Sequence, residues 1–276
     1  MDPALRPLVI FTASIGAGLL GSLTGLGGGV VVVPLLVLGF GVDLPFAVGA
    51  SLIAVIATSC GSSATYLRDG YTNMRVAILL LVATVAGAFV GAELAPYAPR
   101  AVLTTLFGSV ALWSAYATLR PKRIDRTDSQ PDVLATRLRL NGTWPTKEGP
   151  RPYYVRGVPL ALTIMLGAGM LSAMIGIGSG IVKVLAMDRV MRLPFKVSTS
   201  TSNFMIGVTA AASSGVYLHR GQLEPTLCAP VALGALAGSV AGARLLKRVD
   251  SRLLRVAFAT VVGIAGVQMI LKGVRW

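Results

Sequence analysis

Eight apolar runs alternate with short polar connections along the chain. The first four cover 8–40, 45–67, 76–95 and 101–119, and the second four cover 158–190, 195–218, 226–246 and 253–271. A membrane-crossing helix needs about 20 apolar residues, and most of these runs meet that length. A spanning β-barrel would instead show shorter segments with strict alternation of apolar and polar positions. The pattern predicts an all-α polytopic membrane protein.

The second set of runs repeats the first. Gly16-Ala17-Gly18 matches Gly167-Ala168-Gly169, and "GLGGG" at 25–29 matches "GIGSG" at 176–180. "LPFAV" beginning at Leu44 matches "LPFKV" beginning at Leu193, and Gly87 and Gly91 fall where Gly238 and Gly242 fall. Most matches share an offset of 151 residues, so the chain reads as an internal duplication. It divides into a first transmembrane repeat, 1–119, a linker loop, 120–157, and a second transmembrane repeat, 158–276.

The opening run of each repeat is the anomalous one. At 33 residues, 8–40 is too long for a single crossing, and its glycines split it into pieces too short for two. Glycine weakens a helix by about 1 kcal/mol relative to alanine, and Pro34 removes a backbone donor. The expected geometry is a broken, re-entrant helical hairpin followed by three transmembrane helices. Charge placement favours this over a single crossing. With hairpins, 19 of the basic residues fall on one side and only Arg6, Arg100, Arg220, Lys272 and Arg275 on the other. With single crossings the split is 15 against 9. The positive-inside rule then gives two inverted repeats, a cytoplasmic central loop and both termini non-cytoplasmic, in a cell membrane. The central loop holds both signs of charge and reads as a linker with at most a short amphipathic piece around "VLATRLRL".

Composition agrees and closes some alternatives. The chain is 54% hydrophobic and 13% charged, about half the charged fraction of a soluble domain. The net charge of +14 sits in short loops between apolar runs, which is an orientation signal and not a nucleic-acid surface. Cys60 and Cys228 form no CxxC or His/Cys group, so neither a metal nor a cofactor is expected. No small-residue cleavage site follows the first run, so no removable signal peptide is read.

Inverted repeats with broken helices are the plan of many secondary transporters, whose site lies near the midplane where half-helices end. The second hairpin arms begin just after the glycines, where free N–H groups favour an anion. Gly27, Gly28 and Gly29, with Gly178, Ser179 and Gly180, are therefore candidate substrate-binding residues. Lys183 joins them, because a lysine at membrane depth is costly unless it is paired or faces water. Ser198, Ser202 and Asn203 from the polar run "STSTSN", with Thr58 and Ser59, are expected to line an inward-opening vestibule. Asp43, Asp69, Glu93, Asp188, Glu224 and Asp250 lie near segment ends, leaving no mid-span carboxylate for cation transport. An intramembrane protease is disfavoured, because Ser179 has no base beside it and the single histidine, His219, falls in a loop. No enzyme activity is expected.

The glycine-rich segment from Gly21 through Leu36, the "LPFAVGASL" run from Leu44 and "YLRDG" at 66–70 resemble the TauE/SafE sulfite exporter family over essentially the whole chain. The resemblance implies a bacterial-type transporter of sulfite or organosulfonates such as sulfoacetate. The expected partners are a small anionic substrate and the lipid bilayer, and a homo-oligomer is compatible with the plan. Two other readings stay open at this level: an anion-selective channel, and a membrane scaffold or assembly factor whose glycines serve packing alone.

Overall fold

The computed structural model describes residues 5–24, 27–119, 132–146, 148–245 and 251–274. Gly25 and Leu26 of the first glycine cluster, Asp250, and Arg275 from the charge count lie outside the described residues. Nearly every described element is helical. The first repeat holds α1 (Arg6–Thr24), α2 (Gly29–Pro34), α3 (Leu44–Arg68), α4 (Met74–Leu94) and α5 (Arg100–Leu119). After α6 (Val133–Arg137) and the strands β1 (Gly142–Thr146) and β2 (Gly149–Tyr153), the second holds α7 (Val158–Ile175), α8 (Gly180–Leu185), α9 (Phe195–His219), α10 (Pro225–Leu245) and α11 (Ser251–Val274). From α2 to α5, each helix starts 151 residues before its counterpart in the second repeat. The duplication therefore holds at the level of helices.

The helices α3, α4, α5, α7 and α10 are long and apolar enough to cross a membrane. With its 25 residues α9 is as long as α3, but the polar stretch at 198–203 lowers its apolarity. The two opening runs fold back on themselves. The Arg6 guanidinium, at the start of α1, donates to the Phe40 carbonyl at 3.4 Å, and Arg156 N–H, just before α7, donates to the Met191 carbonyl at 3.2 Å. Each chain segment thus returns to the end from which it entered.

The reversal rests on backbone that only glycine adopts freely. Gly27 and Gly178, equivalent by the repeat, have φ of +78° and +79°. Each return arm is a six-residue helix running into a π turn, Leu35–Gly39 in one repeat and Ala186–Val190 in the other. Pro34 does not cause the wide turn, because its counterpart Leu185 precedes the same π turn with its N–H intact.

Helices of different repeats pack through glycine. A Cβ on Gly234 or Gly238 would sit 2.4 or 2.0 Å from the carbonyl oxygens of Phe11 and Ile15, and one on Gly242 would meet Leu19 O at 3.0 Å. Positions therefore advance together along α1 and α10. The equivalent pair repeats this, with Gly87 against Leu166 O and Gly91 against Met170 O, so α4 and α7 also run in one direction. Between α5 and α11 the order reverses: Gly273 lies against Thr104, Gly266 against Gly108 and Gly263 against Ala115.

The linker corrects the sequence expectation of at most a short amphipathic piece. It carries α6 and an antiparallel β-hairpin in which Gly142 pairs with Tyr153 and Thr146 with Gly149. Ala135, Leu140, Tyr153 and Val155 share a buried core with Val76, Ala77 and Leu80 of α4 and with Met187 and Met191 of the second hairpin. Asn73 ties the hairpin down: its amide donates to Leu140 O at 2.8 Å and to Tyr153 Oη at 2.7 Å, while its Oδ1 caps α4 by accepting from Val76 N–H. Burial holds the Tyr153 hydroxyl above the ordinary tyrosine value, although the hydrogen bond from Asn73 pulls it down.

Candidate functional site

The two hairpin tips meet at the centre of the bundle, between α3 and α9. A Cβ on Gly29 would lie 2.3 Å from Gly176 O of the second tip and 2.9 Å from Val55 of α3. Gly27 faces Ile206 of α9 and Val55, and Gly28 faces Thr58. From the same face of α3, Ser51 Oγ donates to Gly176 O at 2.8 Å. From α9, Ser202 Oγ donates to Gly180 O at 3.3 Å. Gly29 and Gly176 therefore sit where a side chain has no room.

The helices themselves join through the candidate polar residues. Ser59 Oγ donates to the Asn203 carbonyl at 2.5 Å, and the Ser59 side chain fills the space that a Cβ on Gly207 would take. Farther along, the Thr72 and Ser200 hydroxyls lie 2.7 Å apart, and Asn73 N–H donates to Thr201 Oγ1. Lys196 of α9 lies over the Tyr71 ring. The two polar clusters expected to line a vestibule thus lie side by side. They form a shut seam, with Thr58, Ser59, Ser198, Ser202 and Asn203 all buried.

Lys183 is fully buried on α8. Among the described residues it has one hydrogen-bond partner, the hydroxyl of Thr209 on α9 at 3.0 Å, and no ion pair. Thr209 in turn donates to the Met205 carbonyl at 2.7 Å, so it meets the ammonium with a lone pair. An ammonium offers three donors, of which this arrangement uses one. Two further buried polar groups, Ser179 Oγ at the second tip and Asn203 Nδ2 on α9, have no hydrogen-bond partner among the described residues. Ser179 stands in the left-handed region, φ +45°, where its counterpart Gly28 is right-handed at −70°. A serine held in that conformation carries strain of order 1 kcal/mol or more.

The carboxylates are placed mostly as expected. Asp43 pairs with Arg100, and Glu93 pairs with Arg220. Arg220 also donates to Ala92 O at 2.6 Å, joining the ends of α4 and α9. Asp188 falls near the end of its apolar run, as its position in the sequence indicates. It is buried within the second π turn, a placement that a count of segment ends could not foresee.

Sequence reasoning missed Thr209 and Ser51. Both sit in α helices among apolar neighbours, and the one signal available was their register. Thr209 is the repeat counterpart of Thr58, and Ser51 that of Ser202.

Comparison with known proteins follows the same lines. A family model described as sulfite exporter TauE/SafE matches residues 10–269. The probable membrane transporter protein YunE of Bacillus subtilis (strain 168) is 24% identical, the match covering 97% of this chain and 98% of the relative. A probable membrane transporter protein of Methanocaldococcus jannaschii is 26% identical over 97% of this chain and 96% of its own length. YdhB of Bacillus subtilis, also described as a probable membrane transporter protein, is 25% identical over 95% and 98%. No solved structure gives a significant match.

Proposed function

The chain belongs to the sulfite exporter TauE/SafE family, and on that premise we propose that it is a secondary transporter of small sulfur-containing oxyanions such as sulfite or sulfoacetate. The observation that carries this is the Lys183 ammonium, buried on the return arm of the second hairpin with no ion pair among the described residues. An isolated ammonium taken out of water costs several kcal/mol unless an opposite charge joins it. No carboxylate pairs with it among the described residues, and Thr209 leaves two of its three donors for an oxyanion. Ser179 Oγ and Asn203 Nδ2 add two donors without partners.

Transport needs the seam to open alternately. The helix pairings support inverted repeats: α1 runs with α10 and α4 with α7, whereas the equivalent helices α5 and α11 run oppositely. A pseudo-two-fold exchange of that kind lets the same contacts form at either face. One end gathers Arg75, Arg139, Lys196 and the linker, and the positive-inside rule makes this the cytoplasmic side. Arg6 beside Phe40, Arg100 beside Asp43 and Lys272 beside Val37 mark the opposite side, with both termini. The shut polar seam favours a carrier over a channel, since a channel keeps one continuous path.

The test is thermal stability of the purified protein with sulfite, sulfoacetate, thiosulfate, sulfate or chloride, for the wild type and Lys183→Met. A ligand that binds only the folded state raises its midpoint, by about 2.7 kcal/mol of stability at a hundredfold excess over Kd. A sulfur oxyanion should stabilise the wild type and not Lys183→Met, whose unliganded stability is equal or higher because a buried charge has gone. Equal shifts in both proteins, or none with any sulfur anion, reject the reading. Counterflow in liposomes completes it, because a channel shows none.

A further inference from the structure

An open groove lies away from the central seam, between the return arm of the first hairpin and α11. Its volume is about 930 Å³, and its walls are Val31, Pro34, Leu35 and Leu38 on one side and Ile264 and Leu271 on the other. Sites for small molecules and cofactors span roughly 300–1,000 Å³, so this one is large enough for a substantial ligand.

The outward face of α11 is apolar, with Val261, Ile264, Val267, Leu271 and Val274 all exposed. In a membrane-spanning chain that face meets lipid, so whatever enters the groove comes from the bilayer. Two polar side chains interrupt it on one stripe. Gln268 and Lys272 are four residues apart and both line the groove, so Gln268 sits about 6 Å deeper along the helix. The Lys272 ammonium donates to Val37 O at 3.1 Å, a carbonyl in the middle of the π turn, and its other two donors have no partner among the described residues. Gln268 has no hydrogen-bond partner among the described residues. Arg6 donates to Phe40 O, three residues along the chain from Val37, and so places a second positive charge at the same end of the arm.

The second repeat closes the equivalent place with protein. Ala186, the counterpart of Leu35, is buried in a core shared with Leu140, Tyr153 and Val155 of the linker. The first repeat has no linker to cover its arm, and its groove stays open.

We propose that this groove is a binding site for an anionic phospholipid. An acyl chain lies between the hairpin arm and α11, the phosphate meets Lys272 and Arg6, and the Gln268 amide donates to an ester carbonyl one turn deeper. The lipid then wedges against the hairpin arm from outside, as the linker does in the other repeat. A basic residue near a membrane surface is worth about 1 kcal/mol toward an anionic headgroup, which is roughly a fivefold gain in affinity.

Thermal midpoints in detergent, with dioleoyl phosphatidylglycerol or dioleoyl phosphatidylcholine added, test this on the full chain. Phosphatidylglycerol should stabilise the wild type more, with an affinity at least roughly fivefold above that for phosphatidylcholine. Lys272→Gln should lose that preference and keep the response to phosphatidylcholine, Lys272→Arg should retain it, and Ala265→Trp, which fills the groove, should weaken both lipids. Equal responses in the wild type, or an undiminished preference in Lys272→Gln, overturn the proposal. So does equal stabilisation by free glycerol phosphate, which would make the ligand a soluble phosphate. Disulfide cross-linking of two chains through Gln268→Cys, made in a Cys60→Ser, Cys228→Ser background, would assign the groove to a second copy instead.

Discussion

At the scale of single residues, Ser179 and Lys183 carry the difference between the repeats. Where the first repeat has Gly28 and Val32, the second places a strained serine and a buried cation. Both choices reduce the stability of the unliganded protein, and on the proposed function both add hydrogen-bond donors for an oxyanion. Ser179→Gly separates the two effects. Glycine adopts the left-handed conformation freely, so the unliganded protein should gain about 1 kcal/mol in denaturation experiments. The lost hydroxyl should weaken sulfur-oxyanion binding by roughly tenfold, the scale of one hydrogen bond to a charged group. A stability gain with unchanged affinity would make Ser179 a structural accident.

At the scale of elements, glycine position matters more than glycine content. Gly16 and Gly18 both lie on α1, yet a Cβ on Gly16 meets nothing within 4 Å while one on Gly18 would sit 2.2 Å from Ala235 O. Gly16→Ala should therefore be neutral or stabilising by up to about 1 kcal/mol. Gly18→Ala, and likewise its counterpart Gly169→Ala against Thr84 O, should cost about 1–3 kcal/mol through forced separation of the helices. Thermal midpoints of the three variants check this, and equal effects at Gly16 and Gly18 would deny the close packing. The linker has a comparable weak point. Asn73→Ala removes an α4 cap and both hydrogen bonds to the linker, so residues 140–153 should exchange amide hydrogens and yield to protease faster than in the wild type. Protection unchanged in that region would mean that the apolar core around Tyr153 holds it unaided.

At the scale of the whole molecule, the proposed inverted arrangement makes a statement about sides. In a Cys60→Ser, Cys228→Ser background, Tyr97→Cys and His219→Cys should react with a membrane-impermeant thiol reagent added to intact cells. Gly70→Cys and Thr143→Cys should react only after the membrane is opened. Labelling of Gly70→Cys and Tyr97→Cys from one side would contradict the arrangement, because both flank α4 at opposite ends. The short connections leave little freedom here. Once α3 crosses, the turn at 69–73 fixes α4 in the other direction, and the same holds for α9 and α10.

The order of helices, the duplication and the two chain reversals were all legible in the sequence. Apolar runs report crossings because an unsatisfied backbone in lipid leaves few alternatives, and glycine clusters within such runs report a break because helix is least favoured there. Lys183 was legible for the same reason: a lone charge in an apolar run is costly wherever it lies. Tertiary structure alone decided what surrounds these features. Nothing local says that Thr209 meets Lys183, that Ser59 reaches Asn203, that Asp188 is buried or that the linker folds into a β-hairpin over α4. Those facts come from contacts between segments more than twenty residues apart, and in a duplicated chain either repeat could have supplied the partner. Residue type sets what a group needs, and only packing against a distant segment sets which group answers it.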